Sequence, residues 1–343
     1  MLDTIIDSDL KTITGQVTLS PFQGTEALVT GGAGFLGSWL CDVLVKAEGK
    51  VRCVDDLSTG ARENIAHLAG NPLFTFVTES VMQLSSTPDR MDVILHFASH
   101  ASPDEYQRNP IETLLINSEG TRILLELARR SDSRFLYAST SEIYGDATVV
   151  PTPESYWGNV SSIGPRSCYD EGKRYGEALC TAYYKTYGLD VRFIRIFNTY
   201  GPRLRADGFY GRALSRFVSQ ALSNADITVH GDGSQTRSFS YVTDTITGAL
   251  LALNSPKMKG QVVNIGSPEE VTIQELAAMV KAATASKSEI THHPRPIHDP
   301  QRRCPDISHA RKLLGWTPTV SLQEGLTRTV RWFSQARERE KDG

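Results

Sequence analysis

Apolar residues in this chain gather in short, nearly continuous runs, separated by longer segments whose apolar positions recur every three or four residues. The short runs are Ala27-Leu28-Val29-Thr30, Val51–Val54, Phe74–Val77, Val93–Phe97, Phe135–Ser139 and Val191–Ile196. Runs this brief and this uniformly apolar predict strands buried on both faces. Between them, Ser38–Lys46, Ile111–Arg130 and Tyr169–Tyr187 read as helices, with Leu114, Leu115, Leu124, Leu125 and Leu127 placed on the apolar side of the second. Alternation of the two patterns from residue 27 to about 200 predicts an α/β fold with a doubly wound parallel sheet. Past Gly201 glycine and proline recur and the strands shorten (Ile227–His230, Gln261–Ile265). Helices Thr272–Ala283 and Leu322–Ser334 interleave with them, and His293–Pro305 reads as a loop. The expected organisation is an N-terminal extension (1–25), a nucleotide-binding domain that also supplies catalytic residues (26–200), and a smaller α/β lobe (201–343). That lobe should mainly grip substrate while returning some strands and helices to the first domain.

Composition narrows the choice of partners. The chain has 343 residues, 22% of them charged, with a formal net charge of -3, which gives no electrostatic case for nucleic acid or a membrane surface. No apolar run approaches the length of a membrane-spanning helix. Met1–Ser20 mixes acids with Ile and Leu and lacks the basic-then-apolar signal pattern, so the expected location is cytoplasmic. The five cysteines are odd in number and show no CxxC spacing, which predicts reduced thiols. His292, His293 and His298 have no recognised ligand spacing, and a polar loop rather than a metal site is expected there.

The candidate chemistry begins at the first strand. Gly31-Gly32-Ala33-Gly34-Phe35-Leu36-Gly37 follows it at once and leads into a helix, and a second strand ends in Asp55-Asp56. Strand, glycine-rich turn, helix, strand and acid form the dinucleotide-binding fingerprint of a Rossmann-like sheet. The glycines allow a tight turn, approach of a pyrophosphate and close helix–strand packing, while the helix N-terminus offers free N–H groups. Asp55 is placed to bind a ribose 2′-hydroxyl and to repel a 2′-phosphate, which favours NAD over NADP. Further on, Ser139-Thr140-Ser141-Glu142 stands just past the carboxyl end of a strand, where open α/β sheets place their ligands. Tyr169 and Lys173, four apart on one helix face, form a phenol–ammonium pair suited to general acid–base catalysis, and Thr140 could donate to the same reacting oxygen.

From about Glu26 to Phe333 the sequence resembles the extended short-chain dehydrogenase/reductase family of nucleotide-sugar epimerases, dehydratases and decarboxylases, most closely its UDP-glucuronate decarboxylase branch. The resemblance is carried by His96–Pro103, by Ala138-Ser139-Thr140-Ser141-Glu142-Ile143-Tyr144-Gly145 and by the specific run from Tyr156-Trp157-Gly158 to Tyr169-Asp170-Glu171-Gly172-Lys173-Arg174. Arg195–Arg203, Gly233–Phe239 and Asp299-Pro300-Gln301-Arg302-Arg303 complete it. It implies an NAD-dependent conversion of UDP-glucuronate to UDP-xylose through a 4-keto sugar, with the cofactor regenerated in place. Thr140, Tyr169 and Lys173 would serve hydride transfer, and Glu142 and Arg303 the loss of carbon dioxide. Cofactor contacts are implied for Gly31, Gly34, Phe35, Leu36, Asp55, Asp56, Ser58, Thr59, Gly60, Val81, Ala98, Tyr200 and Arg203, besides Tyr169 and Lys173. For the substrate they are implied for Ser99, Tyr106, Asn117, Ser141, Asn198 and Arg237, besides Thr140, Glu142 and Arg303. The helices Ile111–Arg130 and Tyr169–Tyr187 correspond to the family's dimer interface, so a homodimer is expected.

Three residues depart from the pattern: Asp56 replaces an Asn, Ser80 an Asp that meets the adenine, and His100 a proline near the sugar. Rival readings are a 4,6-dehydratase, a 4-epimerase, a decarboxylase that releases the 4-keto pentose, and a non-catalytic NAD sensor. Ser141 stands where a dehydratase would carry Asp, an epimerase has no use for Glu142 with Arg303, and a sensor does not need an intact Thr-Tyr-Lys set.

Overall fold

The computed structural model describes residues 4–84, 90–205, 213–297 and 299–342. Six strands form in chain order: β1 (Glu26–Thr30), β2 (Lys50–Asp55), β3 (Phe74–Thr78), β4 (Val93–His96), β5 (Arg134–Thr140) and β6 (Val191–Ile196). They lie in the order β6-β5-β4-β1-β2-β3, all parallel, and the strand Val262–Ile265 pairs outside β6 to complete a seven-stranded sheet. The pleat divides each strand between two cores. Ala27, Val29, Val93, Leu95, Leu136 and Ile194 join one apolar cluster, and Leu28, Ile94, Phe135, Tyr137, Val191 and Phe193 the other. That two-sided burial is why the strands read as unbroken apolar runs. Strand order reverses between β1 and β4, and the crevice at their carboxyl ends is where ligands of open α/β sheets bind.

Two helices precede the middle of the sheet, α1 (Thr4–Gln16) and α2 (Phe35–Lys46). The first was not foreseen. It buries Ile5, Ile6, Leu10 and Ile13, and its Asp9, fully buried, accepts hydrogen bonds from Tyr241 (2.5 Å) and Arg328 (2.6 Å). The extension is therefore stapled to the helix Leu322–Asp342.

Beyond α3 (Pro103–Arg108), the helix expected over Ile111–Arg130 is interrupted. It consists of α4 (Pro110–Leu115), a π turn over Ile116–Gly120 and α5 (Thr121–Ser131). The wider turn rotates the apolar stripe, so Leu124, Leu125 and Leu127 are buried whereas Leu114 and Leu115 lie exposed beside Ile111. The next helix, α6 (Ser167–Tyr187), packs against both α4 and the π turn.

The chain after Gly201 builds short paired strands around the helices Ala213–Leu222 and Ile273–Thr284. Thr236–Ser238 is flanked by Glu270–Thr272 and by Arg302–Arg303, which sets Arg303 opposite Arg237. The stretch read as a loop from His293 to Pro305 thus contains a strand, too short to show any period, and His293 closes another (Ile290–His293). Val262–Ile265, which follows Gly201 in sequence, belongs to the main sheet because its backbone pairs with β6. All five cysteines are free and buried. Among the described residues no helix is long and apolar enough to cross a membrane.

Candidate active site

The turn after β1 is shaped by backbone contact. Gly31 has φ 70°, and a Cβ there would lie 2.7 Å from the Ala98 nitrogen, so β1 and β4 can approach only with glycine at this point. Gly34 is the N-cap of α2 and no side chain caps it, which leaves the first N–H groups of the helix facing a cavity. Asp55, at the end of β2, accepts from the backbone N–H of Ala33 (3.0 Å) and Leu57 (2.8 Å). Burial raises its carboxyl above the ordinary range, against the pull of those two donors. Gly60 closes over it, since a Cβ there would meet Asp55 Oδ1 at 2.6 Å. Gly31, Gly34, Phe35, Leu36, Asp55, Asp56, Ser58, Thr59, Val81, Ala98, Ser99 and Arg203 all line this cavity.

The three departures fall in or beside the same cavity. Asp56 Oδ1 accepts from both the N–H and the hydroxyl of Ser58, and Ser80 Oγ accepts from Met82 N–H. Buried His100 sits 3.0 Å from Thr113 Oγ1 through Nδ1. An uncapped helix N-terminus, a glycine cradle and an acid at the second strand's end together fit a dinucleotide. Behind the cradle, Asp42 on α2 pairs with Arg203 at 2.7 Å and with His67 at 2.5 Å.

A second cavity of about 550 Å³ adjoins the first, and Thr140, Ser141, Glu142, Tyr169, Lys173, Asn198, Tyr200, Arg237 and Arg303 line it. Thr140 Oγ1 accepts from Glu142 N–H (3.2 Å), which caps the turn Ser141–Tyr144 and leaves the hydroxyl proton available to a ligand. Lys173, almost fully buried, donates to Ala138 O (2.9 Å), and burial pulls its ammonium down to about 7. Tyr169 stacks on Tyr106 with ring centroids 5.2 Å apart and 5° between the planes.

Glu142 is the electrostatic centre. Arg303 donates to both of its oxygens, and Arg166 donates to Oε2 as well. Burial would raise the Glu142 carboxyl, but the two guanidinium charges outweigh it and hold it well below the ordinary range, at about 2. Asp170, beside this group, is driven the other way: burial first, then the Glu142 charge, push it up to about 8.

Two residues assigned to the sugar stand behind the cavity wall rather than in it. Tyr106 is buried with its hydroxyl unpartnered, so its part is to support the Tyr169 ring. Asn117, in the π turn, donates to Thr113 O (2.8 Å) and to Ser99 Oγ (3.0 Å), and so orients a residue that lines both cavities. Arg237 lies in the wall, held by Asp299 at 2.8 Å, and Asn198 donates to Ser238 O (3.1 Å). Sequence reasoning gave no part to Arg166, although it lies three residues before Tyr169 in the most specific run. Nor did it find Arg216, His230, Gln235 or Arg295 in the same wall, which come from elements remote in sequence. His292 Nδ1 lies 2.9 Å from Gly231 O, and His298 lies outside the described residues. No group of three metal-ligating side chains occurs among the described residues.

Residues 27–266 match the model of the NAD dependent epimerase/dehydratase family. The chain belongs to that family. Its cofactor is NAD, in agreement with the cradle and acid described above. A UDP-glucuronic acid decarboxylase 1 of Danio rerio is 47% identical over 308 residues, 90% of this chain and 72% of the relative. A UDP-glucuronic acid decarboxylase 1 of Arabidopsis thaliana is 46% identical over 306 residues, 89% of this chain and 69% of that protein. Among solved structures, a UDP-glucuronic acid 4-epimerase from Bacillus cereus, in complex with UDP-glucuronic acid and NAD, is 31% identical. It superposes with a TM-score of 0.79, covering 91% of this chain and 99% of that one. A dTDP-glucose 4,6-dehydratase from Streptomyces venezuelae with NAD bound is 28% identical with a TM-score of 0.82, covering 91% and 98%.

Proposed function

We propose that this protein converts UDP-glucuronate to UDP-xylose and carbon dioxide, with NAD restored in each turnover. The observation that carries the reading is the Arg303–Glu142 pair standing in one cavity with Thr140, Tyr169 and Lys173. The curated relatives named as UDP-glucuronic acid decarboxylases support it.

NAD, when bound, supplies a hydride acceptor for C4 of the glucuronate ring and later returns the hydride. Tyr169 takes the C4 hydroxyl proton, Thr140 donates to the same oxygen, and Lys173 at the base of the site tunes the phenol. The resulting 4-ketone lies β to the C6 carboxylate, so the C5–C6 bond breaks with loss of carbon dioxide, and the electron pair is held as an enolate. A proton delivered to C5 completes the pentose before the C4 carbonyl is reduced. Glu142 and Arg303 serve these middle steps. The buried wall keeps water away from the keto sugar, and Arg237 in it offers a guanidinium to the diphosphate.

Exposed Ile111, Leu114 and Leu115 on α4, together with Tyr175 and Tyr187 on the adjoining α6, support a homodimer through these helices. The reaction is tested by incubating the protein with UDP-glucuronate and identifying both sugar product and gas. UDP-xylose with carbon dioxide is expected. UDP-galacturonate would make it a 4-epimerase, and a free 4-keto pentose with NADH would make the chemistry partial. Either result overturns the proposal.

A further inference from the structure

Around Glu142 the cations outnumber the anions. Both carboxylate oxygens rest on guanidinium N–H groups, from Arg303 on one side and Arg166 on the other. The nearest further acid is Asp170, whose Oδ2 lies 4.0 Å from Arg166 Nε and whose Oδ1 is buried with no partner. Burial and the Glu142 charge keep Asp170 mostly protonated at neutral pH, so it does not cancel the second guanidinium. What faces the cavity is therefore one carboxylate shared between two arginines, a cluster with one positive charge to spare. The Arg166 side chain is 15% exposed and that of Arg303 8%, and both line the wall that Thr140 and Tyr169 also form.

We propose that Arg166 is the second half of a two-arginine receptor for the C6 carboxylate of the substrate, and hence a residue that selects uronates over neutral sugars. This rests on the uronate reading above. With Arg303 alone, a bound glucuronate would set two carboxylates against one guanidinium in a site largely shut off from water. Like charges sharing a desolvated site repel strongly. Arg166 balances the count at two and two, and its planar fork suits a carboxylate. Glu142 occupies the fork and keeps both guanidinium groups paired. When the substrate leaves as a pentose the carboxylate is gone, so the product loses the contact that held the uronate.

The experiment compares binding of UDP-glucuronate and UDP-xylose, two ligands that differ by that carboxylate, to the NAD-loaded protein with the wild-type Arg166, with Arg166→Gln and with Arg166→Lys, each carrying Tyr169→Phe so that UDP-glucuronate is bound but not turned over. Calorimetric titration reads the affinities, and a melting curve checks folding. Arg166→Gln should lose about ten- to a hundredfold for UDP-glucuronate and less than about threefold for UDP-xylose. Arg166→Lys should recover part of the difference, because it keeps the charge without the fork. If the Gln variant does not fold, the same ratio measured on the Lys variant decides. An equal loss for both ligands, or none for either, with carbon dioxide still released by the wild type, overturns the role of Arg166 alone. A wild type that does not bind UDP-glucuronate overturns this inference and the proposed function together.

Discussion

Replacing Glu142 with Gln tests the centre of the site and can be worked through from its contacts. The wild-type carboxylate accepts from three N–H groups on two guanidiniums, that of Arg303 buried and that of Arg166 largely so. Glutamine keeps one acceptor oxygen, loses the charge and turns an amide N–H₂ towards a cation. Removing one partner of a buried ion pair costs about 3–5 kcal/mol. The depressed acidity of Glu142 leads to a similar figure: from an ordinary 4.5 to about 2 corresponds to about 3 kcal/mol. Asp170, relieved of its charged neighbour, would ionise more readily and recover part of this, so the lower end is expected. For a chain of this size about 3 kcal/mol lowers Tm by roughly 4 °C.

The pH dependence has a definite sign. A carboxyl whose folded pKa is depressed stabilises the fold above its unfolded pKa, and that contribution is lost as pH falls through the folded value. The melting gap between wild type and Glu142→Gln should therefore be full at pH 6 and shrink steadily below about 4.5. In turnover the variant should still reduce NAD on addition of UDP-glucuronate, while carbon dioxide release falls by about a hundredfold or more. Stopped-flow NADH absorbance alongside trapped gas measures both steps. A gap that stays constant from pH 6 to 3 would refute the charge argument. Equal slowing of the two steps would remove Glu142 from decarboxylation.

Other expectations follow from neighbouring contacts. Tyr169→Phe should cut NAD reduction by about 10²–10⁴-fold while UDP-glucuronate still binds within a few-fold of wild type, as single-turnover kinetics and titration would show. Asp55→Asn keeps an acceptor for Ala33 or Leu57 but loses the charge that repels a 2′-phosphate. NAD affinity should fall about tenfold and the preference over NADP should narrow, read by equilibrium titration of both dinucleotides. Asp9→Ala leaves the buried Tyr241 hydroxyl without its acceptor and Arg328 with Glu324 alone, which should cost about 2 kcal/mol and roughly 3 °C of Tm with little change in KM.

What could be read from residue order alone is the chemistry that sits within one or two consecutive elements. The glycine turn, its helix and Asp55 form a single strand–helix–strand unit, and Tyr169 and Lys173 share a helix face because they lie four apart. In these places local geometry dictates proximity, so spacing is sufficient. Helix interruption was not legible, since a π turn changes the period by one residue and leaves no mark on composition, and Leu114 and Leu115 were placed on the wrong side for that reason. Contacts made across the chain belong to tertiary structure alone. Arg303 reaches Glu142 from 161 residues away because a two-residue strand pairs beside Arg237, and Asp9 meets Arg328 across 319 residues. No local propensity encodes such pairings. They are set by how the later lobe folds back over the sheet, and the charge balance on Glu142, with Arg166 as its third member, exists only once that packing is complete.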